Sequence, residues 1–395
     1  MAGYATVPAL LPQLMAAWSL SNAQGGWLAG MVFAGYMLGV LPLVGLTDRL
    51  ASRSIYLACS VLNALSCFGV ALSDDWRLAL VFRAAAGVAL AGMYMPGLRA
   101  LTDRVDGVAR ARIAAVYTSA FTVGTSLSFL SARVGVQFDW RGAFVLAGLL
   151  GTAGTLIAWA ALPRATVPHA TVPRAVPGAS ARARLLPDLR PVFGNRDAMV
   201  LVCLYAATIW GSAGMRQWIV VFLAFCAAGQ GPGAAQAWSV LATGALINLL
   251  GVPAGLLGNE LALRFGVRRI AMLVFVLSML VSVLFGYVAR LPYPVVLVLS
   301  LLTGFIVQGN FANLTTGVLI VADPDHRGAT VALYSCVGFG GGFLGTLLFG
   351  ITLDAFGGAA QLTAWAMAFA SCGIGCLAGG GAACLLSRDV GRTRV

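Results

Sequence analysis

Lysine is absent from all 395 residues, glutamate occurs once, as Glu260, and the two histidines, His169 and His326, lie outside the long apolar runs. Charged residues are 10% of the chain, against about a quarter in a soluble domain. So few charges cannot cover a water-facing surface of this size, so lipid is the expected solvent. The apolar runs hold no carboxylate or imidazole to relay a proton. There is also no Gly-Lys-Ser/Thr loop to cradle ATP phosphates. No Ser/His or zinc-ligand constellation falls within the runs, so an enzyme is not expected. No basic leader precedes the first apolar stretch, so no cleavable signal peptide is evident. That stretch begins almost at Met1, which leaves two readings: a start lying upstream, or a helix that begins abruptly.

What is present is apolar surface. Hydrophobic residues are 60% of the chain and mean hydropathy is +0.90. A bilayer-spanning helix needs about 20 such residues, with every backbone group bonded within the segment. The runs predict spans at 3–19, 24–46, 55–73, 77–101, 112–132 and 142–162, then at 198–226, 235–257, 268–289, 292–321, 328–353 and 361–386. The expected fold class is an all-α membrane protein, with twelve transmembrane helices in two pseudo-symmetric six-helix bundles around a central cavity. Residues 1–163 form one half and 197–395 the other, joined by an exposed, arginine- and proline-rich linker at 164–196. The eight cysteines all lie inside apolar runs, where they read as small packing residues, and neither a metal nor a cofactor is expected.

Arginine fixes the orientation. With the amino terminus inside, nineteen of the 25 arginines are cytoplasmic, and Arg77, Arg133, Arg141 and Arg290 are outside. That leaves Arg83 and Arg216 within spans. The bias places both termini in the cytoplasm of a bacterial inner membrane. The net charge of +12 is therefore topological, and no nucleic-acid partner is expected, since no compact basic patch exists.

The two halves echo one another. Arg49-Leu50-Ala51-Ser52-Arg53-Ser54-Ile55 after span two matches Arg264-Phe265-Gly266-Val267-Arg268-Arg269-Ile270 after span eight. The same offset relates Arg112 and Ala114 to Arg327 and Ala329. Two parallel halves about an axis along the membrane normal place a cavity between them near the midplane.

Asp48-Arg49-Leu50-Ala51-Ser52-Arg53 resembles the signature loop between helices two and three of the major facilitator superfamily. Arg83-Ala84-Ala85-Ala86-Gly87 resembles its Arg-x-x-x-Gly element, and Trp140-Arg141-Gly142-Ala143-Phe144 its Trp-Arg-x-x-Phe start of helix six. The resemblance implies that Asp48, Arg49 and Arg53 form a cytoplasmic latch holding one access state. Span five lacks the Gly-Pro-rich antiporter motif of that family, which argues against drug efflux.

An ionisable group inside a span is costly and usually faces a cavity or a partner. Arg83 and Arg216 are permanently charged, and spans one, four, seven and ten, which line the cavity in the resembling family, contain no carboxylate. An anionic substrate could supply the missing charge. Gln13, Tyr94, Trp210, Gln217, Gln308, Asn310 and Asn313 add hydrogen-bonding groups on those spans and complete the candidate substrate site. Interhelical bonding is the competing reading for each amide. Gly338/Gly342 and Gly341/Gly345 in span eleven have the small-xxx-small spacing of close helix packing. The expected function is secondary active transport of a small organic or inorganic anion by a monomer in the lipid bilayer. The alternatives are export of drugs or metabolites, for which Trp210, Trp218 and Phe311 would matter more, and a non-transporting receptor or assembly partner.

Overall fold

The computed structural model describes residues 3–47, 49–102, 107–162, 187–230, 240–387 and 390. The first stretch of helices comprises α1 (Thr6–Ala17), α2 (Asn22–Leu46), α3 (Ser52–Ala71), α4 (Trp76–Thr102), α5 (Gly107–Gly135) and α6 (Asp139–Ala161). The second comprises α7 (Arg196–Ala228), α8 (Val240–Leu249), α9 (Gly251–Phe265), α10 (Val267–Phe285), α11 (Tyr293–Gln308), α12 (Asn310–Val321), α13 (Arg327–Ala355) and α14 (Leu362–Ala383). Among the described residues, ten helical segments are long and apolar enough to cross a membrane, counting α8 with α9 and α11 with α12 as one each. The chain is a multi-pass membrane protein. Most of the linker predicted at 164–196 lies outside the described residues.

Large apolar side chains face outward on several helices: Leu65 on α3, Ile157 on α6, Leu256 on α9, Val298 on α11 and Ile374 on α14 are all more than half exposed. In water such a surface would aggregate, whereas in lipid it is solvated. With lipid outside, helix association rests on close packing through small residues rather than on hydrophobic burial. At the α2–α4 crossing, a Cβ at Gly35 would collide with Ala84 O, and one at Gly87 with Val32 O. Each obstacle is backbone, which cannot step aside. Gly87→Val should therefore lower stability by about 3 kcal/mol or more, read as a fall in the thermal unfolding midpoint in detergent.

α2, α3, α4 and α6 pack on one another, as do α7, α13 and α14, with α10 on α14. The sets meet where α13 crosses α2, α5 meets α8, and α1 meets α7. Along α2 and α13, which run antiparallel, contacts pass from Ala23/Asp354 through Gly26/Thr346 and Gly30/Phe343 to Met37/Cys336. The packing thus covers about the first four turns of α2.

Two of the predicted continuous spans are broken. Span eight divides at Leu250, where Pro253 has no N–H to continue the ladder. It also runs to Phe265, beyond the expected end at 257, and stops at Gly266 with a φ of 91°. Span ten divides at Gly309, whose N–H bonds Ile306 O in a tighter, 3₁₀-type turn. The breaks touch, because Gln308 Nε2 donates to Ile247 O at 2.9 Å as well as to Gly304 O at 3.0 Å. α1 is shorter than predicted, at twelve residues.

Candidate substrate site

Arg216 lies about five turns into α7, half-buried, and donates to Oδ1 of Asn248 in the last turn of α8. Asn248, 1% exposed, is itself held by Nδ2 to Gly244 O at 2.8 Å. The guanidinium therefore meets a fixed amide dipole beside the broken helix, and among the described residues no carboxylate is paired with it. Carbonyls freed at helix breaks and oriented side-chain dipoles are how membrane carriers build midplane sites.

Tyrosines from separate elements make ring contacts within the bundle. Tyr4, just before α1, accepts from Arg83 through its backbone carbonyl, and its ring lies 5.2 Å from Phe121 and 6.3 Å from Phe33. Phe121 meets Tyr94 at 6.1 Å, and Tyr94 meets Tyr117 at 6.5 Å. On α13, Phe339 stacks on Tyr36 of α2 at 3.7 Å, and Tyr334 stacks on Tyr205 of α7 at 3.9 Å. Tyr205 and Arg216 are eleven residues apart, so they share one face of α7 about 16 Å apart.

Arg83 is 2% exposed, and its nitrogens reach Gly3 O and Tyr4 O at 3.5 and 3.4 Å, leaving Nε without a partner among the described residues. It ties α4 to the segment leading into α1. Gln13 is exposed on α1. Trp210 is six residues from Arg216, about 120° around the helix, and its indole N–H donates to Ser371 O of α14 at 3.2 Å. Trp218 is fully buried and donates to Thr346 O of α13 at 3.1 Å. These two indoles serve helix packing, which removes two of the three aromatics the efflux alternative relied on.

Gln308 is committed to backbone carbonyls of α8 and α11, so it ties two broken helices together rather than offering a free amide. Gln308→Leu should cost about 1–3 kcal/mol by orphaning the Ile247 carbonyl, seen as a lower unfolding midpoint. Asn313 Nδ2 reaches Asn310 Oδ1 at 3.4 Å, and both are buried. Gln217 is 3% exposed with Oε1 unpaired among the described residues. Sequence reasoning missed Asn248 and Tyr4. For Asn248 a signal existed, a lone amide in an apolar run just before Gly251-Val252-Pro253.

Residues 1–258 match the profile of the Major Facilitator Superfamily. The chain belongs to this superfamily. Within it, the chain is 25% identical over 141 residues to the niacin transporter NiaP of Acinetobacter baylyi, covering 35% of this chain and 32% of that one. It is 31% identical over 151 residues to the hexuronate transporter of Escherichia coli, covering 37% and 34%. The matches thus span about a third of those relatives' length. Among solved structures, a bacterial homologue of the human lysosomal transporter Spinster, in an inward-facing and occupied conformation, superimposes with a TM-score of 0.72. Its identity is 19% over 98% of this chain and 92% of that one. The nucleoside transporter NupG gives 0.73 at 14% identity, over 96% of each chain. At such identities the likeness is one of fold.

Of the signature-loop residues in this superfamily member, Asp48 lies outside the described residues and Arg49 is exposed. Arg53 donates from Nε to Leu162 O at 2.9 Å and from Nη2 to Trp159 O at 2.7 Å. These are the orphan carbonyls at the end of α6, where a cation also suits the helix dipole. Arg53 thereby joins α3 to α6. At the opposite end of the bundle an acid bridges the two helix sets. Asp354 of α13 accepts from Asn22 N–H at 3.1 Å, Asn22 Nδ2 at 2.7 Å and Ala23 N–H at 2.7 Å, at the amino terminus of α2. Ser21 and Gln24 complete a capping box there.

Proposed function

We propose that the chain is a secondary active transporter that carries a small anionic solute by alternating access. The observation that carries this reading is Arg216, a half-buried cation held by the Asn248 amide beside a broken helix, with no acid among the described residues to neutralise it. A cation so placed in a low-dielectric setting favours an anion that brings charge-assisted hydrogen bonds. The named relatives fit, because niacin and hexuronate are both carboxylates at neutral pH.

In this reading α1 and α5 join the ten apolar segments, giving twelve spans in two halves, 1–163 and 197–395, linked through 164–196. The membrane is the bacterial inner membrane, and the arginine-rich loops put both termini in the cytoplasm. The end closed by Asp354 is then periplasmic, and the site opens inward. Asp48, Arg49 and Arg53 would act at the cytoplasmic end when the halves rock the other way.

A thermal-shift screen of small carboxylates and inorganic anions on purified protein tests this. A ligand at a hundred times its dissociation constant stabilises by about 2.7 kcal/mol. An upward shift with an anion and none with its neutral amide is expected. Stabilisation only by neutral or cationic solutes would contradict the reading.

A further inference from the structure

We infer that the cargo is a flat aromatic monocarboxylate, its carboxylate held by Arg216 and its ring seated against Tyr4, Phe121 and Tyr94. This rests on the carrier reading above and narrows it. Arg216 sets the charge of the cargo. The walls near it set its shape.

Those walls are aromatic and run without interruption from one helix set to the other. Phe339 of α13 meets Phe33 at 5.9 Å, Phe33 meets Tyr4, Tyr4 meets Phe121, and Phe121 meets Tyr94. Tyr94, Tyr117 and Phe121 are only half-buried. Phe121 sits on α5, which packs on α8 close to Asn248, since Ser126 Oγ donates to Ala245 O at 3.0 Å. A ring edge with its positive rim fits against such π faces in edge-to-face or offset geometry. Arginine beside these rings adds planar stacking surface for the same kind of ligand.

A polyhydroxylated acid would need several free hydrogen-bonding groups, and the two amides at the broken helices beside Arg216 are taken. Asn248 is bonded on both sides, to Arg216 and to Gly244 O. Gln308 spends its amino group on Ile247 O and Gly304 O. Each unmatched hydroxyl buried there would go unsatisfied, at full desolvation cost. A site of this kind rejects a sugar acid more strongly than it rewards one. One negative charge is the match for one half-buried guanidinium, with Arg83 already committed to backbone.

Equilibrium binding of radiolabelled benzoate to the full chain in detergent, competed by cyclohexanecarboxylate, glucuronate and benzamide, tests this. Benzoate is expected to bind at least tenfold more tightly than the other three. Phe121→Leu should weaken benzoate about three- to tenfold and change cyclohexanecarboxylate less than twofold. If cyclohexanecarboxylate or glucuronate equals benzoate, the aromatic assignment falls and the anion carrier stands. If benzamide equals benzoate, the anion reading itself falls. If no carboxylate binds but an inorganic anion does, only the aromatic assignment is overturned. The competition ratios on the unaltered protein decide the matter even if the variant misfolds.

Discussion

Asp354→Ala should separate the helix ends it now joins and move about five- to thirtyfold more molecules into the state open at that end. The carboxylate accepts three hydrogen bonds from the first two residues of α2, two of them backbone N–H groups that a helix start leaves orphaned. Its charge also complements the positive end of the α2 dipole. Asp354 is exposed, so solvent screens the charge, and the net stabilisation expected is about 1–2 kcal/mol. Every 1.4 kcal/mol is tenfold in a two-state equilibrium. Spin labels at Asp75 and Phe356, both exposed near that end, would report the change as a second, longer distance population. An unaltered distribution would show that Asp354 caps α2 without gating anything.

Arg216→Gln should abolish cargo binding while leaving the protein as stable as before, or more so. Truncating one partner of a desolvated, hydrogen-bonded charge pair costs about 2–5 kcal/mol, which is some thirty- to several-thousandfold in affinity. Among the described residues the guanidinium has no counter-charge, and a half-buried charge without one is a liability. Removing it relieves that liability. Loss of binding without loss of stability is diagnostic, since an arginine serving only to join α7 to α8 would leave binding unchanged when replaced. Glutamine keeps a donor for Asn248 Oδ1, so a loss of binding can be assigned to the charge. Arg216→Lys would keep the charge but not the planar fork, and should recover only part of the affinity.

The membrane class, the helix runs and the place of Arg216 within a span are legible in the sequence because they depend on composition over twenty residues or on a single charge in an apolar run. What joins distant segments is not. Asn248 is 32 positions from Arg216, and Asp354 is 332 from Asn22. Neither pairing leaves a local pattern. The continuous spans expected at 235–257 and 292–321 fail for a similar reason. Hydropathy averages over Leu250 and Gly309, while the break depends on one missing N–H at Pro253 and one tightened turn. Gln308 reads as a cavity amide in the sequence because a polar side chain in an apolar span demands a partner. That partner is the carbonyl freed at the neighbouring break, which only the packing of α8 on α11 reveals. Arg53 shows the same limit, since its partners are the last carbonyls of α6, over a hundred residues away.

The small-residue spacing in span eleven is informative, because that interface is built from backbone. A Cβ at Gly341 would collide with Ala206 O, and one at Gly345 with Trp210 O. α13 is thus pressed onto α7 along the segment carrying Tyr205 at one end and approaching Arg216 at the other. The surface that packs α13 on its own helix set lies beside the surface by which it clasps α2. A rocking motion would break the second and keep the first.

Counterflow in proteoliposomes addresses the central claim most directly, with the full chain reconstituted and loaded with unlabelled carboxylate, and uptake of the labelled compound followed over time. The account predicts a transient accumulation that the unaltered protein supports, that Arg216→Gln eliminates, and that the neutral amide of the same compound does not produce. Accumulation by Arg216→Gln at the rate of the unaltered protein would contradict it.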